Sequence, residues 1–83
     1  MKIIFYRSAV CPRCLLAARE LKKLQEEYDF MVSEVEVTTN PLKTWKAGIR
    51  MIPALECNGE VLAGLYLGSA KIRRFIEKLI KKN

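Results

Sequence analysis

The chain has 83 residues, 51% of them hydrophobic, a formal net charge of +6 and no histidine. This length fits one small domain, residues 1–83, and the hydrophobic content predicts a folded globule. The longest uncharged run, 61–70, is half of what a membrane span requires, and Met1-Lys2 leads into a strand-like segment without a signal-peptide pattern. We therefore expect a cytoplasmic protein, and three cysteines are too few for a secreted disulfide framework.

The first half of the chain predicts a strand, a helix and a second strand. The continuous apolar run Ile3–Tyr6 is typical of a central strand covered on both faces. A helix is expected over about Pro12–Tyr28, with proline at its first position. Its apolar stripe consists of Cys14, Ala17, Ala18, Leu21, Leu24 and Tyr28. The alternating segment 32–37 predicts a strand with Glu34 and Glu36 on a solvated face.

The second half predicts a short helix, a hairpin and a last helix. Asn40-Pro41 gives the short helix a favourable cap and a proline at its first position. Its inward-facing side chains are expected to be Leu42, Trp45 and Ile49. Asn58-Gly59, between the strand-like segments 54–57 and 60–67, predicts a hairpin. Ser69 can cap the last helix, whose apolar face consists of Ile72, Phe75, Ile76, Leu79 and Ile80.

The predicted element order is βαβαββα, an α/β fold. The first connection is long enough for a crossover helix, so the first two strands should be parallel with a right-handed connection, and the hairpin adds two antiparallel strands. The result is a four-stranded mixed sheet with three helices on both faces.

The positive charge is concentrated in the last helix. Residues 69–83 contain six basic side chains and one acidic one, whereas the rest of the chain is nearly neutral. We expect a solvated basic face, with a docking surface for an acidic protein as the alternative. Nucleic acid is not an expected partner, since no aromatic residues alternate with the basic ones on the polar side. A membrane is not expected either, because the chain has no apolar run long enough to span one.

The motif Cys11-Pro12-Arg13-Cys14 lies between the first strand and the first helix. Unpaired backbone N–H groups and the helix dipole stabilise a thiolate at Cys11. Cys14 lies one turn further, on the apolar stripe, so we expect an exposed nucleophile and a sheltered partner. A structural thiol pair or half of a metal site is the alternative, but a metal site needs more ligands than Cys57 alone can add. Redox chemistry without a metal or cofactor is therefore expected.

Five other side chains receive specific expectations. Arg13 is expected to tune the charge beside the first cysteine. Cys57 is predicted to be a buried core thiol, and Tyr6 a packing residue. Trp45 is predicted to pack inside the fold rather than form a substrate platform. Arg50 either faces the rim of the site or is merely solvated.

The motif and its surroundings resemble the thioredoxin superfamily over nearly the whole chain. The segment 6–14, with its tyrosine and the proline between the cysteines, is similar to glutaredoxins. The segments 40–41, 48–55 and 58–61 (Asn-Pro, Gly-Ile-Arg-Met-Ile-Pro-Ala-Leu and Asn-Gly-Glu-Val) are similar to thioredoxins. The resemblance implies the thioredoxin fold.

The resemblance also implies roles for individual residues. Pro53 is implied to be cis and to pack against the disulfide, and the backbone of Ile52 to pair with an extended substrate segment. Thioredoxins carry a buried aspartate six residues before the first cysteine, but this chain has Phe5 there. The segment with which glutaredoxins hold glutathione is also missing, which argues against a specific glutathione site.

The implied function is that of a dithiol–disulfide oxidoreductase acting on protein disulfides. Cys11 would attack the substrate, and Cys14, with Pro12 and Arg13 between them, would resolve the mixed disulfide. A thioredoxin reductase-like flavoprotein or glutathione would return the electrons. The alternative is an iron–sulfur or metal-binding glutaredoxin-like module that uses Cys11 in a dimer.

Overall fold

A computed structural model describes residues 1–64 and 67–82, with only the backbone of Lys82. Seven elements follow the predicted order, β1 (Lys2–Arg7), α1 (Pro12–Glu27), β2 (Met31–Glu36), α2 (Pro41–Lys46), β3 (Ala54–Cys57), β4 (Glu60–Ala63) and α3 (Ser69–Lys82). No helix in these two ranges is long and apolar enough to cross a membrane.

The sheet is mixed and has the strand order β2-β1-β3-β4. Strands β1 and β2 are parallel and joined through α1, as predicted, with Arg7 opposite Glu36 at the end of the pairing. Strand β3 runs antiparallel to both β1 and β4. Strand β1 is central in the sheet, and residues 8–11 connect its carboxyl end to the start of α1.

Side chains of β1 alternate between two cores, which explains why its sequence is continuously apolar. Ile3 and Phe5 belong to the larger core, together with the buried faces of α1 and α3. Tyr6 belongs to a smaller core on the opposite face, with Val35 and Ile49. The packing predictions for Tyr6 and for a strand covered on both faces are confirmed.

Helix α1 buries its predicted stripe most fully at Cys14, Ala17, Leu21 and Leu24. It ends one residue before the predicted end, and Tyr28 is its C-cap, with a hydroxyl that donates to Glu77 of α3 at 2.8 Å. Arg73 of α3 makes two hydrogen bonds, at 2.9 and 2.6 Å, with the carboxylate of Glu27. These polar contacts bind α3 to the last turn of α1, beside their shared core.

Three predictions for α2 are wrong. No residue of this six-residue helix is buried, and Leu42 and Trp45 are 73% and 65% exposed. Only Ile49, which follows the helix, packs inward as expected. Asn40 forms no side-chain cap, since its oxygen accepts no hydrogen bond from the helix, and its amide nitrogen donates to the carbonyl of Glu36. A helix of fewer than two turns cannot bury a wide face, so its spacing is a poor guide to burial.

The hairpin turn is confirmed. Asn58 and Gly59 have φ values of 51° and 86°, the positive pair that a type I′ turn requires. Strand β4 is shorter than predicted, since it ends at Ala63, and positions 65–66 of the expected strand 60–67 lie outside the described residues. Gly48 has a φ of 78°, which glycine adopts readily, directly after α2.

Candidate active site at the start of helix α1

A tight turn connects β1 to α1 and presents the first cysteine. The amide of Cys11 donates to the carbonyl of Ser8 at 3.2 Å, which closes the turn around Ala9 and Val10. Cys11 has an extended backbone and is the N-cap of α1, followed by proline at the first helical position. The chain therefore enters the helix with the thiol at its amino end.

The Cys11 sulfur accepts a hydrogen bond from the backbone N–H of Cys14, at 3.3 Å between Sγ and N. Partial burial alone would raise the pKa of the Cys11 thiol. The hydrogen bonds from Cys14 and the positive charge of Arg13 outweigh this effect, and the pKa is below its ordinary value. Arg13 and Pro12 themselves are exposed. This is the electrostatic setting in which a cysteine becomes a nucleophile.

Cys14 lies in the first turn of α1 and is completely buried in the larger core. Burial and its hydrogen bond with Cys11 raise the pKa of the Cys14 thiol to about 11, although the amide of Ser8 and the charge of Arg7 oppose this. Two thiols three residues apart thus have pKa values shifted in opposite directions.

Phe5 is buried in the same core as Cys14, at the position where the resemblance implies an aspartate. Cys57 is also buried there, as predicted for a core thiol, and burial raises its pKa. All three cysteines are free thiols. Within the described ranges, no three His, Cys, Asp or Glu side chains lie close enough to hold a metal ion.

The segment before β3 contributes to the core against which the motif packs. The Ile52–Pro53 peptide bond is cis, as the resemblance implied, and the Pro53 side chain is buried. Ile52 is half-buried and packs against both cores, including the one against which Cys11 packs. The structure thus brings Ile52 and the two cysteines to one core, while the intervening Pro12 and Arg13 face outward.

Trp45 was predicted to be a packing residue, and this prediction is wrong. The guanidinium carbon of Arg50 lies 4.0 Å from the centroid of its exposed ring, a cation–π contact. Arg50 is therefore exposed and stacked on an aromatic ring, an arrangement that neither expectation for it included. Met51, which adjoins Ile52, and Val10, which precedes Cys11, add exposed apolar surface.

Glu36, predicted only to lie on the solvated face of a strand, contacts the turn before Cys11. Its carboxylate accepts hydrogen bonds from the backbone N–H of Ala9 at 2.7 Å and from Thr38. The parallel pairing that sets Glu36 opposite Arg7 brings the carboxylate to the turn before Cys11. No local pattern signals this contact, which depends on two segments 27 positions apart.

Comparisons with known proteins show which sequences and folds the chain is similar to. No protein-family model matches the chain. A curated thioredoxin from Methanocaldococcus jannaschii is 27% identical over 99% of this chain and 95% of its own length. Two solved structures share the fold: thioredoxin 1 from Thermosipho africanus (TM-score 0.80, 15% identity, 98% of this chain and 96% of that one) and a mutant thioredoxin from Halobacterium salinarum (TM-score 0.77, 22% identity, 93% and 72%).

This chain combines a close Cys11–Cys14 pair, a cis Ile52–Pro53 bond and a β2-β1-β3-β4 sheet. The chain is therefore similar to thioredoxins over nearly its whole length and has the thioredoxin fold.

Proposed function

We propose that the protein reduces disulfide bonds in other proteins by thiol–disulfide exchange through Cys11 and Cys14. The observation that carries this proposal is the hydrogen bond from the amide of Cys14 to the sulfur of Cys11 at the helix terminus. It favours the thiolate of one cysteine, while burial keeps the other protonated until it is needed.

The proposed reaction has two exchange steps. The Cys11 thiolate attacks one sulfur of the substrate disulfide, so a Cys11–substrate bond forms and the substrate S–S bond breaks. The leaving thiolate takes a proton from solvent. Cys14 then loses its proton and attacks Cys11, which releases the second substrate thiolate and leaves a Cys11–Cys14 disulfide. The second substrate thiolate is protonated in turn, so the substrate gains two electrons from the cysteine pair and two protons, one released by Cys14 and one taken from solvent.

Deprotonation of Cys14 needs an acceptor other than the residue at position 5, since Phe5 has no titratable group. Once Cys11 is bound to the substrate, it no longer carries the charge that raises the pKa of Cys14. The Ser8 amide and the charge of Arg7 then favour the Cys14 thiolate. Water is the proton acceptor in this proposal.

Ile52 and Pro53 are proposed to bind the substrate. Proline has no N–H to donate, and its cis bond turns the chain at the start of β3. The backbone of Ile52 would pair with an extended substrate segment, a mode of binding that tolerates many sequences. Exposed Met51 and Val10 would contact apolar substrate side chains on either side.

The test is insulin-disulfide reduction with dithiothreitol as the electron source. Cys11→Ala should abolish catalysis, and Cys14→Ala should accumulate a mixed disulfide between Cys11 and the substrate. Cys57→Ala is the matched control, because it removes a buried thiol of the same core and should keep the activity. Catalysis that survives in Cys11→Ala would refute the proposed mechanism.

Two electron donors fit the proposal, a thioredoxin reductase-like flavoprotein and glutathione. An NADPH-coupled assay with thioredoxin reductase, run beside one with glutathione and glutathione reductase, separates them. Activity with neither donor, in a folded protein that carries free thiols, would contradict a general reductase function.

A further inference from the structure

The turn that carries Cys11 has little support of its own. Its closing bond joins the Cys11 amide to the Ser8 carbonyl, and a longer bond of 3.4 Å joins the Val10 amide to the Ser8 hydroxyl. Ala9 and Val10, at its corner, are exposed, and Val10 is 88% exposed. Packing therefore does not fix the corner of this turn, and another contact is needed to hold it.

Glu36, the last residue of β2, supplies that contact. One carboxylate oxygen accepts from the Ala9 amide at 2.7 Å, and the other accepts from the Thr38 amide at 3.1 Å and from the Thr38 hydroxyl at 2.7 Å. Thr38 thereby holds the carboxylate in place. Hydrogen bonds to a charged acceptor are stronger than neutral ones, so this is the strongest polar contact of the turn.

The backbone around Glu36 is fixed as well. The Val37 amide donates to the carbonyl of Arg7 at 2.9 Å, which continues the β1–β2 pairing to the edge of the turn. The carbonyl of Glu36 accepts from the side chains of Thr39 and Asn40. The carboxylate is thus attached to a hydrogen-bonded strand end, whereas the corner of the turn that it contacts, Ala9 and Val10, is exposed.

We propose that Glu36 is a positioning residue for Cys11, whose carboxylate holds the turn 8–11 so that the sulfur stays on the amide of Cys14. The consequence of this positioning for catalysis rests on the proposed function, but the effect of Glu36 on the Cys11 thiol does not.

Two substitutions separate the hydrogen bond from the charge. A negative charge near Cys11 disfavours the thiolate, whereas a fixed turn favours it through the helix terminus. Glu36→Gln removes the charge and keeps an oxygen that can accept from the Ala9 amide. Glu36→Ala removes both. Loss of the charge should therefore lower the pKa of Cys11, whereas loss of the hydrogen bond should raise it. Both variants lose the charge, but only the alanine variant also loses the hydrogen bond.

The primary readout is the pH dependence of Cys11 alkylation in the reduced protein, with the modified cysteine identified by mass spectrometry. Glu36→Ala should raise the pKa of Cys11 towards the free-cysteine value of about 8.5 and slow alkylation several-fold at neutral pH. Glu36→Gln should leave the pKa at or below that of the unmodified protein. Equal pKa values in the two variants would overturn the proposal.

Glu34→Ala is the matched control. Glu34 lies on the same strand, has the same charge and pairs with Arg7 at 2.9 Å, but has no hydrogen bond to the turn. It should not raise the pKa of Cys11. An increase equal to that of Glu36→Ala would indicate a general effect of removing an acidic side chain from β2 and would overturn the proposal.

Hydrogen exchange of the Ala9 amide in the unmodified protein tests the contact with Glu36 directly, without a substitution that could disturb folding. The Ala9 amide should be protected from hydrogen exchange despite its exposure, and Glu36→Gln should retain part of that protection. An unprotected Ala9 amide would contradict the contact itself. If the unmodified protein fails to reduce insulin while these pKa differences persist, the proposed function is wrong and the positioning role stands.

Discussion

Helices α1 and α2 begin with the same local pattern, a cap residue followed by proline, yet they end up in different environments. At α1 the cap side chain of Cys11 accepts a hydrogen bond from the helix, and four residues of the helix are buried. At α2 the Asn40 side chain makes no such bond, and no helical residue is buried. The pattern sets where a helix begins, whereas tertiary contacts decide what its cap and its apolar residues do.

Length explains much of this difference. Sixteen residues give α1 more than four turns, so its stripe can cover β1 and β3. Six residues give α2 less than two turns, and the residue after Gly48, Ile49, packs into the smaller core in its place. The short helix thus positions a loop, and the long one builds the core and presents the thiol.

The largest expected effect compares one leucine from each helix. Leu24→Ala should lower the free energy of unfolding by about 2–5 kcal/mol, because Leu24 is completely buried in the larger core. Leu42→Ala, the matched change in α2, should alter it by less than about 0.5 kcal/mol, since Leu42 is 73% exposed. Urea unfolding monitored by circular dichroism measures both. Similar losses in the two variants would show that α2 buries this side chain in solution.

The second effect compares the cap thiol with the thiol one turn later. The Cys11 pKa is lowered, so its thiolate fraction increases with pH earlier than that of a free cysteine. The pKa of Cys14 is about 11, and its thiolate stays scarce until the pH approaches that value. At neutral pH, iodoacetamide should therefore modify Cys11 at least about 100-fold faster than Cys14. Peptide mapping after timed alkylation measures the ratio, and comparable rates would contradict the separation of roles.

Residue spacing predicted the elements that bury a continuous face. The apolar run of β1, the stripe of α1 and the Asn58-Gly59 turn each carry their structural cause within a few residues, and each is present as predicted. The position of Cys14 on the buried side follows from the same helical spacing. These features could be predicted because local sequence and tertiary burial favour the same structure.

The failed predictions depend on contacts that the spacing of residues within one element does not reveal. Asn40 has the right residue type for a cap, but its side chain bonds to the carbonyl of Glu36 through the amide nitrogen and makes no bond to the helix. Trp45 has the right spacing for burial, but its helix is too short to reach a core, and Arg50 covers one face of the ring. The contact of Glu36 with the Ala9 amide requires the β1–β2 register, which a single strand's alternation does not reveal.

The smallest expected effect is that of Asn40→Ala. Removing a side chain that caps a helix typically costs about 1 kcal/mol, but Asn40 makes no such bond. The Glu36 carbonyl, to which Asn40 donates, also accepts from the amide and the hydroxyl of Thr39. This carbonyl therefore keeps a hydrogen-bond partner in the Asn40→Ala variant. We expect a loss below about 0.5 kcal/mol by urea unfolding. A loss of about 1 kcal/mol or more would indicate that Asn40 caps α2 in solution.

Cys11→Ala is the comparison for that result at α1, because it removes a side chain that does cap its helix. The pKa of Cys11 is lower in the folded protein than in a free thiol, so the thiolate stabilises the folded state above the unfolded pKa of about 8.5. This stabilisation is lost as the pH falls through the folded pKa. Under reducing conditions, the difference in unfolding free energy between Cys11→Ala and the unmodified protein should therefore shrink as the solution is acidified. The Asn40→Ala difference should not change over the same range, because an amide does not titrate, and parallel pH profiles for the two variants would contradict a thiolate cap at α1.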